Sequence, residues 1–207
     1  MFTGIIQELG TVARVERSKG LIRLSIAAPK TASEVERLES VAVNGVCLSV
    51  VSVRHDVLTF ELIEETRHLT SLGRLRPGER VHVEPSLRVT DRLNGYLLFG
   101  HVDGTGTVMR RRERAGELVL EIRVAPTMRH LLVPKGPVAV DGVSLTVGRV
   151  VTASTFTVHL IPETLRQTTL RLRAPGDRVN LELDYLAKLV SQWVGRTKKG
   201  WRASRDL

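Results

Sequence analysis

A chain of 207 residues, 42% apolar and 26% charged, has the make-up of an ordinary soluble protein with room for one or two domains. No window holds the roughly 20 apolar residues of a membrane-spanning helix, no secretory signal is visible at the N-terminus, and a single cysteine excludes an internal disulfide and fits a reducing cytoplasm. The net charge of +9 points toward acidic partners, but the arginines are scattered and four Phe, two Tyr and two Trp make a poor base-stacking platform, so nucleic-acid binding is not expected.

Short runs of Val, Ile, Thr and Leu, broken by Gly, Pro, Asn and Asp, predict an all-β chain. A first strand runs from Ile5-Ile6 to Val15, with Gly10 at a bulge or a close approach, and a second from Leu21 to Ala27. Pro29 to Leu38 reads as a loop with one helical turn. Two strands then flank Asn44-Gly45, a dipeptide favoured in tight hairpins. Leu58–Ile63 is a further strand, Glu64–Leu72 a short helix, and Arg76–Glu79 a turn into Val81–Glu84. Six strands in so short a span predict a small closed barrel. Arg88 to Gly95 is a connector.

Beyond the connector the pattern starts again. Gly4, Gly10, Thr11 and Val12 return as Gly100, Gly106, Thr107 and Val108, an offset of 96. Val41–Val50 returns as Val138–Val147 at an offset of 97, with seven of ten residues identical and the rest Asn/Asp, Cys/Ser and Ser/Thr. Ile63–Thr66 and Pro77–Val81 return at offsets of 98. Four matches in the same order establish a tandem duplication. Strands are expected at 102–108, 118–124, 138–151, 156–161 and 179–183, with Pro134-Lys135-Gly136-Pro137 as a rigid turn. The expected architecture is two tandem six-stranded, Greek-key-like barrels, over 1–96 and 97–184, followed by a C-terminal helix and basic tail over 185–207. Asp184 is a candidate N-cap of that helix and Gly195 its stop, with the tail from Arg196 expected to be disordered. Leu186, Leu189, Val190, Trp193 and Val194 form one apolar stripe, which must pack on the barrels or on copies of itself.

Some chemistry is excluded directly. Gly104-Thr105-Gly106-Thr107 begins like a dinucleotide-binding fingerprint but lacks the third glycine and a following helix. The six histidines show no metal-ligand spacing.

Met1–Gln7, Asn44–Val50, Gly100–Gly106 and Asp141–Val147, in this order on a duplicated chain, resemble the riboflavin synthase family of the alpha-chain type, with its duplicated lumazine-binding barrels. The resemblance covers residues 1 to about 195. It implies a cytoplasmic homotrimer that converts two molecules of 6,7-dimethyl-8-ribityllumazine into riboflavin and 5-amino-6-ribitylaminouracil. No metal, nicotinamide or flavin cofactor is implied, and lumazine synthase is a functional neighbour. In the family each site pairs a lumazine on an N-terminal barrel with one on a neighbour's C-terminal barrel, which gives the duplication a physical reason: two like reactants are held together. Catalytic positions carry over onto Ser40, Cys47, His101 and Asp184, and substrate contacts onto Phe2, Thr3, Gly4, Thr66, Val102, Lys135, Ser144, Thr146, Ile161 and Thr164.

Without the resemblance these residues have plainer readings: Cys47 as small core, His101 as a structural histidine, Lys135 as a solvated turn residue, Asp184 as a cap. With it, Cys47 is a nucleophile or a contact that activates one, and His101, where copy one has Ile5, relays protons. One stretch departs from the family pattern. Where the family reads Gly-Gly-His-Leu-Val-Ser before Gly100-His101, this chain has Asn94-Gly95-Tyr96-Leu97-Leu98-Phe99, bulkier and less polar. The alternative of another class is a non-catalytic lumazine or flavin carrier of the same fold, expected to lack residues of the Cys47 and His101 type.

Overall fold

The computed structural model describes residues 1–203 apart from Ala115 and Ala153, and side chains as far as Val194. The first barrel comprises β1 (Glu8–Ser18), β2 (Leu21–Ala27), β3 (Ser40–Val43), β4 (Val46–Arg54), β5 (Val57–Ile63) and β6 (Arg80–Pro85). The second comprises β7 (Gly104–Arg114), β8 (Glu117–Arg123), β9 (Pro137–Val140), β10 (Val143–Thr152), β11 (Thr155–Leu160) and β12 (Arg178–Leu183). All pairings are antiparallel, in the order β1-β2-β5-β4-β3-β6, and β6 closes on β1; the second barrel repeats this order. Short helices α1 (Pro29–Ala32), α2 (Glu64–Leu69) and α3 (Pro162–Gln167) sit between strands, and α4 (Tyr185–Ala203) follows β12.

Alternation builds each core. Leu58, Phe60 and Leu62 of β5 are buried at every second position, as are Leu118, Leu120 and Ile122 of β8. Gly10 is a close-approach site, since a Cβ there would lie 2.7 Å from Ile26 and 2.9 Å from Val83.

Three sequence expectations are corrected. The first strand does not begin at Ile5 but at Glu8, and the sixth residue of each copy serves the other copy: Ile6 packs against the core of barrel two, while Val102 is buried in the core of barrel one. The predicted helix 64–72 is α2 to Leu69 followed by a 3-10 turn at Leu72–Arg74. Gly195 does not stop α4, and the basic segment expected to be disordered is helical to Ala203; residues 204–207 lie outside the described residues. An interior glycine costs only about 1 kcal/mol, and the surrounding Lys, Arg and Ala are good helix formers.

The seam between the barrels is nearly symmetric. Phe2 and Leu98 exchange backbone hydrogen bonds of 2.8 and 3.0 Å and, with Ala42 and Ala139, form a separate buried cluster. The Asn44-Gly45 and Asp141-Gly142 turns abut so closely that a Cβ on either glycine would lie 2.6 Å from the other's backbone nitrogen. Asn180 donates from Nδ2 to the Asn44 carbonyl (2.8 Å) and accepts the Ser71 N–H (2.7 Å). His82 occupies the matching place: Nδ1–H donates to the Asp141 carbonyl (2.7 Å) and Nε2 accepts the Thr169 N–H (2.8 Å). That arrangement requires a neutral imidazole.

Burial, the largest cause, holds the His82 pKa below the ordinary value of 6.5, with Arg173 adding to it and Asp141 opposing it. The unfolded chain therefore binds a proton at a pH where the folded chain does not. Stability is full above about pH 6.5 and falls as pH drops from there toward the lowered value, by up to about 1.4 kcal/mol per unit for one group. Urea melts from pH 7 to 5 are expected to show this slope, and His82→Gln to flatten it; equal slopes would exclude His82 as the source.

Candidate active site

In both barrels one strand pair opens. β4 and β5 pair from Val50 and Phe60 toward their hairpin, and β10 and β11 pair from Val147 and Val158 toward theirs. At the open end each freed strand edge is taken by backbone from the other copy. The Cys47 N–H donates to the Gly100 carbonyl, and the Ser144 N–H donates to the Gly4 carbonyl, both at 2.9 Å. Two equivalent mouths result, each built from both halves of the chain.

The mouth of barrel one brings Cys47 together with Gly100, His101 and Val102, residues more than fifty positions away in sequence. Cys47 is a half-buried free thiol on the outward face of β4, which it shares with Ser49. Ser40 pairs with Ser49 across β3 and β4, and Thr66 lies in α2, directly after β5. His101 is exposed and Val102 seals the core beneath it. The mouth of barrel two has Ser144 and Thr146 on β10, Ile161 and Thr164 at the end of β11 and in α3, and Gly4-Ile5 from copy one. Exposed Lys135 borders β10, its N–H donating to the Val147 carbonyl (2.8 Å); the same position in copy one is Leu38. Both mouths carry hydroxyls, but they differ chemically: the first adds a thiol and an imidazole, the second an ammonium.

Three predicted residues have structural partners beside these mouths, and Cys47 itself packs against the inter-barrel cluster. Phe2 is 1% exposed in the inter-barrel cluster. Thr3 is buried, its N–H and hydroxyl donating to Glu84 at 2.7 and 2.8 Å. Asp184 accepts the Leu186 N–H at 3.0 Å and so caps α4. Two surface grooves of about 650 and 620 Å³ contain neither Cys47 nor His101.

Sequence reasoning missed the carboxylates that fasten the crossing segments. Glu84 accepts from the N–H groups of Thr3 and Gly4, and Glu182 from those of Phe99 and Gly100 at 2.8 and 2.9 Å. Burial raises the pKa of each, against the hydrogen bonds they receive. A signal was present: an acidic residue between apolar neighbours recurs in both closing strands, at Val83-Glu84-Pro85 and Leu181-Glu182-Leu183. Tyr96 packs at the seam with its hydroxyl buried and unpartnered among the described residues, and burial, then Glu182 and Asp184, raises its pKa. Among the described residues no three His, Cys, Asp or Glu side chains converge to hold a metal ion, and no helix is long and apolar enough to cross a membrane.

The lumazine binding domain family matches the chain twice, over residues 3–86 and 99–184. Riboflavin synthase of Mycobacterium tuberculosis (strain ATCC 25618 / H37Rv) is 40% identical over 195 residues, 93% of this chain and 97% of the relative. The riboflavin synthase of Escherichia coli (strain K12) is 35% identical over 199 residues, covering 95% and 92%. Among solved structures, LumP complexed with riboflavin superposes with a TM-score of 0.83 at 24% identity, over 89% of this chain and all (100%) of that one. LumP complexed with 6,7-dimethyl-8-(1'-D-ribityl) lumazine superposes with a TM-score of 0.81 at 23% identity, over 89% and 99%. At those identities the likeness speaks to the fold.

Proposed function

The chain belongs to the riboflavin synthase family, built on a duplicated lumazine binding domain, and from that premise we infer how its two mouths divide the work. The reaction joins two molecules of 6,7-dimethyl-8-ribityllumazine: one gives up a four-carbon unit and leaves as 5-amino-6-ribitylaminouracil, the other becomes riboflavin. Atoms balance between the two substrates and the two products, so the conversion needs no external oxidant or reductant. The observation that carries the reading is the pair of equivalent mouths, each completed by backbone from the other copy.

A lumazine on each of two facing mouths meets its partner without the entropy cost of encounter. The C7 methyl of the ring is acidic because its anion delocalises, so a modest base suffices. The mouth of barrel one supplies groups for that chemistry: the Cys47 thiol, as nucleophile or as a contact that activates one, and the His101 imidazole as proton relay. Ser40, Thr66 and Val102 frame that ligand. Ser144, Thr146, Thr164 and Lys135 offer hydroxyls and a cation to the second ligand's ribityl chain, with Ile161 and Gly4 against its ring. Phe2, Thr3 and Asp184 shape the mouths from the seam and the start of α4. Leu186, Leu189, Val190 and Trp193 of α4 are exposed; this supports a homotrimer joined through α4, with facing mouths on neighbouring subunits. A single cysteine fits a cytoplasmic enzyme, supplied by lumazine synthase.

Mixing the protein with 6,7-dimethyl-8-ribityllumazine alone, and following absorbance, tests the reaction. Riboflavin is expected at half the rate of lumazine loss without any added cofactor; tight binding without riboflavin would make the protein a carrier. Cys47→Ser, which installs the residue of copy two, is expected to lower kcat by about tenfold or more with little change in ligand binding. Unchanged kcat would remove Cys47 from the chemistry.

A further inference from the structure

His101 is exposed, and no hydrogen bond holds its imidazole among the described residues. Among the described residues its one ring contact is Phe99, with centroids 6.0 Å apart and planes at 27°. Phe99 in turn packs on Tyr185, the first residue of α4, at 4.8 Å and 53°. Two residues beyond the histidine, Asp103 accepts the Leu183 N–H at 2.8 Å and pairs with Lys188 of α4 at 2.7 Å. Glu182, in the strand that leads into α4, holds the N–H groups of Phe99 and Gly100. The segment Phe99–Asp103 is therefore fastened to the end of β12 and the first turn of α4 on both sides of His101.

Copy one has no such arrangement. Glu84 grips Thr3 and Gly4, but Gln7 stands where copy two has Asp103, and no helix follows β6. The extra fastening coincides with the one crossing segment that carries a titratable side chain. An exposed imidazole without hydrogen bonds would otherwise exchange rotamers within nanoseconds.

We propose that Phe99, seated on Tyr185, and the Asp103–Lys188 pair are positioning elements that hold His101 at the mouth of barrel one, so that α4 serves the site of its own chain. The proposal rests on the role given to His101 above. The ring current of a phenyl ring this close shifts the imidazole protons, which gives a readout that does not need turnover. Their NMR signals, assigned by difference with His101→Gln, are followed in the full-length protein.

Phe99→Leu is expected to move the His101 ring-proton signals toward those of a free histidine side chain and to lower kcat by about tenfold with KM within about twofold, while Phe99→Tyr keeps both near wild type. Lys188→Met, at a partly exposed side chain that the barrel core does not need, is expected to lower kcat by about threefold and to broaden the same signals. Unmoved His101 signals, or unchanged kcat, in a folded Phe99→Leu protein would overturn the proposal. If Phe99→Leu does not fold, Lys188→Met decides by the same two readouts. A wild-type protein that makes no riboflavin would sink the reaction assigned above, and the ring-proton signals would still decide the positioning.

Discussion

Gly100→Ala is expected to abolish riboflavin formation, by about a hundredfold or more, and to lower the melting temperature. Gly100 has φ of +72°, and a Cβ there would lie 2.6 Å from the Cys47 Cβ and 2.8 Å from the Cys47 nitrogen. Backbone atoms cannot swing aside, so the segment must leave β4. The Cys47 N–H would lose its acceptor and Val102 its place in the core of barrel one, and His101, between them in the chain, would be displaced with the segment. Gly20→Ala is the control. It has φ of +79° but open space around it, so it carries only the conformational penalty of about 1 kcal/mol and should retain activity. Equal losses in the two variants, measured by steady-state assay and thermal melting, would show that conformational strain and not the crossing contact matters at Gly100.

Asp141→Ala is expected to cost about 3–5 kcal/mol in urea unfolding, while Asp141→Asn keeps most of the stability. Asp141 is fully buried, accepts the Asn180 N–H at 2.7 Å through one oxygen and pairs with Arg173 at 2.7 Å through the other. Alanine would leave the N–H and the guanidinium without their acceptor, at a position with φ of +47° that Asn and Asp tolerate better. Copy one shows that the amide suffices: Asn44, at φ +44°, accepts the His82 N–H at 2.8 Å in the same way. A loss for Asp141→Asn as large as for alanine would mean that the charge pair, and not the turn's hydrogen bond, holds the seam.

The barrels were legible because their causes are local. Period-two burial in Val57–Ile63 and the Asn-Gly and Asp-Gly turns each register within ten residues, the repeat states the same local pattern twice, and the structure places strands and turns there. The helix limit at Gly195 was misplaced because glycine is only a weak stop when good helix formers follow. Ile5-Ile6 and His101-Val102 look like strand openings to any pattern count, because apolar alternation is the same whichever barrel receives the side chain.

The chain's order of residues was enough for two like barrels, their hairpins, a capped C-terminal helix and, through motif resemblance, the family. It carried no trace of the exchange at the seam, where Gly4 and Gly100 present carbonyls to the opposite copy and Ile6 and Val102 pack into it. Nor did it show the fastening of His101 through Phe99 to α4 or the matched bridges of His82 and Asn180. The reason is physical. Side-chain periodicity records which face of an element is dry, a property of neighbours along the chain. The mouths are made by backbone carbonyls, amides and ring faces meeting across separations of fifty residues or more, and those groups take their partners only when both barrels have closed.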